Sequence, residues 1–100
     1  LETKMNINIE DLYKIIAERV KSKKKHSYTN NLLKLGPKKI AQKFGEESTE
    51  LIVDYLSGSK KRTIEEAADV IYHLLVLLNS KKINLKDINK ELSRRFNGIR

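Results

Sequence analysis

The sequence contains no cysteine, which excludes disulfide bonds and thiolate metal sites and fits the reducing cytoplasm. It has two histidines, too few to favour a zinc site. Its longest apolar run, residues 67–78, is interrupted by Asp69 and His73 and is shorter than the roughly 20 residues of a bilayer span. The N-terminal stretch lacks the apolar core of a signal peptide. We therefore expect no membrane segment, no export signal and a cytoplasmic location.

Acidic residues are too few to balance the lysines and arginines, and the formal net charge is +8 at pH 7. A basic chain is compatible with nucleic-acid binding, but the usual motifs of basic binding faces are missing. The lysines instead cluster where we expect helix ends and turns. We therefore do not expect a nucleic acid as partner, whereas a polyphosphate substrate would benefit from the positive field.

Apolar residues recur at helical spacing in four segments, and no segment of useful length alternates as a β-strand does. The sequence therefore predicts an all-α fold, a bundle of four main helices in one domain over residues 1–100. The first helix is expected to run from Ile9 to about Lys21. A polar loop should cover residues 23–31, followed by a short helical turn at residues 32–35.

Turn and capping residues place the other boundaries. The second helix is expected to begin at Pro37 and to end at Gly58. A connection over residues 57–62 leads to the third helix, residues 63–80, and a fourth helix follows. The predicted helix-capping pairs are Thr63 with Glu66 and Asn84 with Asp87.

The third predicted helix organises the chain, because its apolar side chains point in almost every direction around its axis. We expect such a helix to be surrounded by protein. Three short neighbouring helices of one chain cannot cover it, so we predict a homodimer. The strip predicted to face the second subunit consists of Ile71, Leu74, Leu75 and Leu78.

Acidic residues lie on two successive predicted helices. Glu66 and Asp69 lie on the third helix among apolar residues, where an unpaired carboxylate is costly. On the second helix, two or three of Glu46, Glu47 and Glu50 share a face, because Glu50 follows the other two by four and three residues. Carboxylates from two helices suit one hard divalent ion, Mg²⁺ or Mn²⁺. The alternatives are an acidic patch on an exposed helix and, for Glu66, a purely capping role.

Two further features have a structural and a functional interpretation. Ser27, Tyr28 and Thr29 belong either to a solvated connection or to a loop whose hydroxyls contact phosphate. His73, one helical turn after Asp69, is interpreted as a bundle histidine rather than a metal ligand, although it could orient Asp69 or meet a phosphate.

Three stretches of the sequence resemble one known family. They are S-Y-T-N-N-L-L at residues 27–33, K-I-A-Q-K-F-G-E-E at residues 39–47 and E-E-A-A-D-V-I-Y-H-L-L-V-L-L at residues 65–78. The pair of acidic motifs, E-E-x-x-E and E-x-x-D, is similar to the metal signature of the MazG-like all-α nucleotide pyrophosphohydrolases. Within that superfamily, the first and third stretches most resemble the phosphoribosyl-ATP pyrophosphohydrolases of histidine biosynthesis.

The resemblance implies that a homodimer hydrolyses phosphoribosyl-ATP with Mg²⁺ between the α and β phosphates, giving phosphoribosyl-AMP and pyrophosphate. It makes Glu46 a second-metal ligand or a water-activating base. The implied metal ligands are Glu47, Glu50, Glu66 and Asp69. The implied phosphate contacts are Lys39, Lys43, Ser27, Tyr28 and Thr29.

Two other functions stay open at this point. A house-cleaning pyrophosphohydrolase that acts on noncanonical nucleoside triphosphates would share every metal ligand. A helical interaction module without enzymatic activity is the alternative from a different class. Such a module would have no reason to place Asp69 in an apolar helix opposite a second acidic cluster, so this feature favours an enzyme.

Overall fold

The computed structural model of the chain describes residues 5–22 and 27–97, and these residues form five α-helices without a β-strand. The helices are α1 (Ile9–Ser22), α2 (Tyr28–Leu35), α3 (Pro37–Ser57), α4 (Lys60–Ser80) and α5 (Leu85–Phe96). The predicted all-α class with four main helices is confirmed, with α2 as a shorter fifth. No helix in the described ranges is both long and apolar enough to cross a membrane.

The helix α2 starts earlier than the sequence predicts, so the expected loop is wrong for residues 28–31. Ser27 has an extended backbone, and its hydroxyl accepts a hydrogen bond from the N–H of Asn30, which satisfies one free donor of the helix start. Gly36 ends α2 with a φ of 93°, a conformation that favours glycine. Residues 23–26, which complete the predicted loop, lie outside the described residues.

The helix α4 also starts earlier, at Lys60 instead of Thr63. Ser59 is its N-cap, because the side chain of Ser59 accepts a hydrogen bond from the N–H of Arg62 at 3.1 Å. The capping box predicted for Thr63 and Glu66 is therefore wrong. The polar first turn of α4 carries no apolar residue that would distinguish it from a connection, which explains the error.

Two other turn predictions are confirmed. Gly58 follows α3 directly, and a Cβ at this position would lie 2.9 Å from the backbone carbonyl oxygen of Asp54, so the tight approach to the backbone requires glycine. Asn84 and Asp87 form a reciprocal capping box at the start of α5. The C-terminal end of α3 and the start of α5 are thus determined by local chemistry.

Helices α3 and α4 form an antiparallel pair, which is the largest helix–helix contact of the structure. Asp54 lies beside Arg62 at the end of this pair next to the turn, whereas Ile40 shares a core with Val76 at the opposite end. The buried apolar side chains of this core are Ile16, Leu32, Ile40, Leu75, Val76 and Leu78. Since the core occupies one end, the middle of the pair stays close to the surface.

The expectation that α4 is enclosed by protein holds only for its second half. Leu75 and Leu78 are buried within their own chain, so the predicted subunit-facing strip is wrong for these two residues. Leu74 is partly exposed, and Ile64 is 60% exposed. The exposed apolar side chains in the half of the pair next to the turn are Ile52, Val53, Tyr55, Leu56 and Ile64. This half of the pair therefore carries an open apolar surface.

Candidate metal centre

Three carboxylates meet where the middle of α3 faces the first half of α4. One oxygen from each of Glu47, Glu66 and Asp69 lies within 4.8 Å of the others. Glu66 and Asp69 share a face of α4 because they are three residues apart, and the antiparallel packing places Glu47 opposite them. We call these three residues the acidic triad. The packing thus brings together three of the four metal ligands implied by the sequence resemblance.

Glu50, the fourth implied ligand, lies one helical turn after Glu47 and is exposed, outside the acidic triad. It nevertheless affects the triad. Burial raises the pKa of Glu47, and a hydrogen bond shared with Glu50 and the negative charge of Glu50 raise it further. Burial also raises the pKa of Glu66, with the charge of Glu50 as the next cause. The triad therefore holds more negative charge than its surroundings stabilise.

Glu66 is the most buried member of the triad, with 6% of its surface exposed. Its Oε1 accepts a hydrogen bond from Nη2 of Arg62 at 2.8 Å. The same guanidinium donates to Glu65 at 2.9 Å and lies 3.6 Å from Asp54. The Oε2 atom of Glu66 is buried and has no hydrogen-bond partner among the described residues. A buried carboxylate oxygen without a partner is costly, so Oε2 requires a positive charge or a donor.

The acidic triad fits a hard divalent cation. Carboxylate oxygens are the ligands that Mg²⁺ and Mn²⁺ prefer, and the triad contains no nitrogen or sulfur ligand. A divalent ion would also offset the charge that raises the pKa values of Glu47 and Glu66. The orphaned oxygen of Glu66 and the crowding of its neighbours therefore both indicate a cation at this place.

Asp69 departs from the sequence interpretation in one respect. It is exposed and not buried among the apolar residues of α4. The reason is that the core lies against the second half of α4, whereas Asp69 lies in the first half. The argument that a core would reject Asp69 is therefore wrong. Its position beside Glu47 and Glu66 is what distinguishes it from an isolated surface acid.

The basic residues predicted to contact phosphate border the triad along α3. The Nζ atom of Lys43 lies 3.5 Å from the carboxylate of Glu46 and 3.9 Å from that of Glu47. Glu46 is exposed, and a hydrogen bond from Gln42, together with Lys43, lowers its pKa. Lys39 is exposed one helical turn before Lys43. This edge of the site therefore presents two cations to the solvent.

The three hydroxyl residues predicted to contact phosphate lie at the start of α2, and each of them has a hydrogen-bond partner within the chain. Ser27 caps the helix. Thr29 is fully buried, and its hydroxyl hydrogen-bonds to the hydroxyl of Tyr72 on α4. Tyr28 is half-exposed, and its ring lies against the imidazole of His73 with 5.9 Å between the ring centroids. Tyr28 is therefore the most exposed of the three.

His73 is buried and has a partner at each ring nitrogen. Its Nδ1 lies 2.8 Å from the backbone carbonyl oxygen of Asp69, and its Nε2 lies 3.1 Å from the hydroxyl of Tyr28. The imidazole therefore has no nitrogen left for a metal ion in this arrangement. This geometry agrees with the interpretation of His73 as a bundle histidine.

Sequence reasoning missed two features of the site. Arg62 precedes Glu66 by four residues, the spacing of an ion pair on a helix, but the prediction placed Arg62 in a connection. Ser59 was the available signal, because a serine three residues before Arg62 is a suitable N-cap. The bond between Tyr28 and His73 has no signal in the sequence, since the two residues are 45 positions apart.

A profile of the family described as Phosphoribosyl-ATP pyrophosphohydrolase matches residues 9–96, which include the whole acidic triad. A protein of Sulfolobus acidocaldarius named Phosphoribosyl-ATP pyrophosphatase is 49% identical over 88 residues, which cover 88% of this chain and 93% of that protein. Proteins of the same name from Sulfurisphaera tokodaii and Clostridium novyi are 48% and 46% identical. These matches cover 92% and 87% of this chain and 99% and 79% of the two relatives.

Proposed function

Because this chain belongs to the phosphoribosyl-ATP pyrophosphohydrolase family, we propose that it hydrolyses phosphoribosyl-ATP to phosphoribosyl-AMP and pyrophosphate, a step of histidine biosynthesis. The acidic triad with its orphaned oxygen is the observation that carries this proposal. A helical interaction module has no use for crowded carboxylates with raised pKa values, whereas a metal-dependent hydrolase requires them. We assign residues 1–100 to one domain and place the protein in the cytoplasm.

We assign Mg²⁺, with Mn²⁺ as a substitute, to the acidic triad and Glu50. The bound ion would neutralise negative charge on the phosphate oxygens of the substrate. Within the chain, Arg62 holds Oε1 of Glu66, so that the second oxygen of this carboxylate has a fixed position. Glu50 lies one turn further along α3, where it adds a fourth carboxylate on the exposed side.

Lys39 and Lys43 are the residues that we propose to bind the phosphates, because both lie at the exposed edge of the site. We assign Glu46 the role of accepting a proton from the attacking water, since its lowered pKa keeps it ionised at neutral pH. The lowered pKa also makes Glu46 a weak base. We therefore expect Glu46→Gln to reduce turnover by about a hundredfold, the low end of what general bases contribute.

Of the hydroxyl residues at the start of α2, we assign Tyr28 to the binding site. Ser27 and Thr29 support it indirectly, because Ser27 caps α2 and Thr29 anchors this helix to Tyr72 of α4. Their contribution to substrate binding is then to hold Tyr28 in place. This assignment narrows the predicted contact region from three hydroxyls to one.

We propose that the protein is a homodimer, and the exposed apolar half of the α3–α4 pair supports this proposal. Leu56 is 75% exposed and Tyr55 is 73% exposed, and three further large apolar side chains lie on the same half. Burying them against a second copy would contribute about 25 cal/mol for each Å² removed from water, before the cost of association. A two-fold axis would let this surface pair with itself.

Sedimentation over a range of concentrations tests the dimer. Leu56→Glu should shift the protein to a folded monomer, because it places a charge on exposed surface without touching the core. Leu75→Glu is the contrasting variant and should unfold the chain itself, since Leu75 is buried within it. A wild-type protein that stays a folded monomer at micromolar concentration would contradict the proposal.

Release of pyrophosphate from phosphoribosyl-ATP and from a panel of nucleoside triphosphates tests the activity. We expect phosphoribosyl-ATP to be the preferred substrate, with Mg²⁺ required. Asp69→Ala and Glu50→Ala should abolish turnover with the helical content retained, whereas Glu10→Ala on α1 should be nearly silent. A preference for noncanonical nucleoside triphosphates would indicate the house-cleaning alternative. Equal losses in all three variants would point to instability and contradict the ligand assignment.

A further inference from the structure

Arg62 occupies one oxygen of the most buried carboxylate in the acidic triad. Its Nη2 donates to Oε1 of Glu66 at 2.8 Å. The other oxygen, Oε2, is buried and has no hydrogen-bond partner in the part of the chain that the structure describes. The two oxygens of Glu66 are therefore not equivalent. A cation of the chain itself holds Oε1, and Oε2 is the one that still needs a positive partner.

Several contacts fix the guanidinium of Arg62 in this position. Its Nη1 donates to Glu65 at 2.9 Å, and its Nη2 also lies 3.6 Å from Asp54 near the end of α3. The backbone N–H of Arg62 donates to the side chain of Ser59 at 3.1 Å. A guanidinium is a planar fork, so contacts at both terminal nitrogens set its orientation as well as its place. Arg62 is therefore held against Glu66.

Glu91 on α5 shows how differently the chain can treat a glutamate. Oε1 of Glu91 accepts a hydrogen bond from Nε of Arg94 at 3.0 Å, and its Oε2 accepts one from Nη2 of the same side chain at 2.5 Å. Arginine thus saturates both oxygens of Glu91, whereas Arg62 engages only one oxygen of Glu66. The open Oε2 follows from how Arg62 is shared with Glu65 and Asp54.

This arrangement limits how Glu66 can bind a divalent ion. The guanidinium beside Oε1 is positive and repels a second cation from that oxygen. An ion among the carboxylates of Glu47, Glu66 and Asp69 would therefore meet Glu66 through Oε2. As long as Arg62 stays in place, Glu66 offers the ion one oxygen and not two.

Coordination through one oxygen does not suit all divalent ions equally. Mg²⁺ demands a nearly regular octahedron, and the two oxygens of one carboxylate are too close together to fill adjacent corners of it. Ca²⁺ is larger, takes about six to eight oxygens in a flexible shell and readily binds both oxygens of one carboxylate. Withholding Oε1 of Glu66 therefore removes a ligand from Ca²⁺ and costs Mg²⁺ nothing.

We propose that Arg62 is a positioning residue that disfavours Ca²⁺ relative to Mg²⁺ at this site, because it engages Oε1 of Glu66 and leaves only Oε2 for the ion. This inference rests on the metal assignment of the proposed function and deepens it by naming the residue that selects the ion. It gives Arg62 no contact with the substrate or with the ion itself.

Titration calorimetry of the protein with Mg²⁺ alone and with Ca²⁺ alone tests the inference without substrate. Arg62→Met should shift the ratio of the two Kd values towards Ca²⁺ by about tenfold or more, since partners of metal ligands change metal affinity by about ten- to a hundredfold. Loss of the guanidinium charge favours both divalent ions alike, so the ratio isolates the coordination effect. Arg62→Ala is a second variant that suits a helix and should give the same shift.

Two controls accompany these variants. Arg94→Met removes a guanidinium from the glutamate pair on α5 and should leave the ratio within about twofold of the wild type, because this pair lies outside the triad. Arg62→Lys keeps a cation that can donate to Oε1 of Glu66, so it should retain most of the wild-type ratio. Circular dichroism of each variant checks that the helices are retained.

The outcomes separate this inference from the proposed function. An unchanged ratio in folded Arg62→Met or Arg62→Ala, with both affinities moving together, would show that Arg62 acts only through its charge and would overturn the inference. A wild type that binds neither ion would overturn it together with the proposed metal site. If the wild type binds Mg²⁺ but releases no pyrophosphate from phosphoribosyl-ATP, the proposed activity alone fails, and the ratio of the Kd values still decides the role of Arg62.

Discussion

Glu91 on α5 and Glu47 on α3 are both helical glutamates with charged residues one turn away, yet their pKa values move in opposite directions. Glu91 accepts hydrogen bonds from Arg94 and Arg95, at 2.5 Å and 2.9 Å, which lower its pKa to about 2. Burial raises the pKa of Glu47, and its neighbour Glu50 raises it further. The same residue type is thus stabilised as an anion in one helix and destabilised in the other.

The difference shows where the chain compensates its own charges and where it does not. On α5, the cations are supplied at spacings of three and four residues, and the side chain of Glu91 is 44% exposed. In the acidic triad, Arg62 and Lys43 reach only its edges, and Oε2 of Glu66 stays without a partner. A chain with a net charge of +8 therefore keeps a local deficit of positive charge. A bound divalent cation would remove this deficit.

Catalysis should show the largest contrast between the two regions. Asp69→Asn removes one ligand charge and should lower kcat/KM for phosphoribosyl-ATP by about a thousandfold, since a catalytic metal contributes several kcal/mol. Glu91→Gln is the matched control in the compensated region and should keep its rate within about twofold. Steady-state release of pyrophosphate measures both. Similar losses of kcat/KM in the two variants would contradict the distinction between the two regions.

Thermal unfolding with and without metal should show the next largest effect. Metal at about 100 times its Kd would stabilise the wild type by about 2.7 kcal/mol, or a Tm rise of about 10 °C or more for a domain of this size. Glu66→Gln should lose most of this response, because it removes a charge from the triad. Glu91→Gln should respond like the wild type. An unchanged Tm of the wild type at saturating Mg²⁺ and Mn²⁺ would contradict a native metal site.

In the metal-free protein, replacing a glutamate by glutamine should change the Tm by a smaller amount, and the change should have opposite signs in the two regions. Glu47→Gln should raise the Tm by a few degrees at pH 7, because an ionised group with a raised pKa opposes folding. The same variant should lose the response to metal. Differential scanning calorimetry after treatment with a chelator measures both properties. A lower Tm for Glu47→Gln would show that the triad is not under electrostatic strain.

The pH dependence of the stability that the ion pairs of Glu91 contribute should be the smallest effect. Since the folded pKa of Glu91 lies near 2, below its ordinary value, its ion pairs contribute stability above the ordinary carboxyl pKa and lose it as pH falls towards 2. Glu91→Gln should therefore lower stability slightly at pH 7, because the pairs are exposed and screened. The difference from the wild type should shrink between pH 4.5 and pH 3 in urea unfolding. A constant difference over this range would speak against the ion pairs as its source.

Residues close together in sequence were the most predictable part of the molecule. The helix periodicity, the glycine at position 58 and the capping box of Asn84 and Asp87 depend on neighbours within a few positions, and all are confirmed. The starts of α2 and α4 were misplaced because Ser27 and Ser59 cap polar first turns that resemble connections. Local capping chemistry was present there, but the apolar pattern that usually accompanies it was not.

The sequence by itself determined the all-α class and the acids available for a metal site, because helical spacing places Glu66 and Asp69 on one face. Only the tertiary structure decided how these acids are used. The antiparallel packing of α3 on α4 sets Glu47 opposite them, and the position of the core exposes Asp69 while burying Glu66. The bond of Tyr28 to His73 likewise exists only because α2 packs on α4. Burial and long-range contact depend on the whole chain, and no local spacing encodes them.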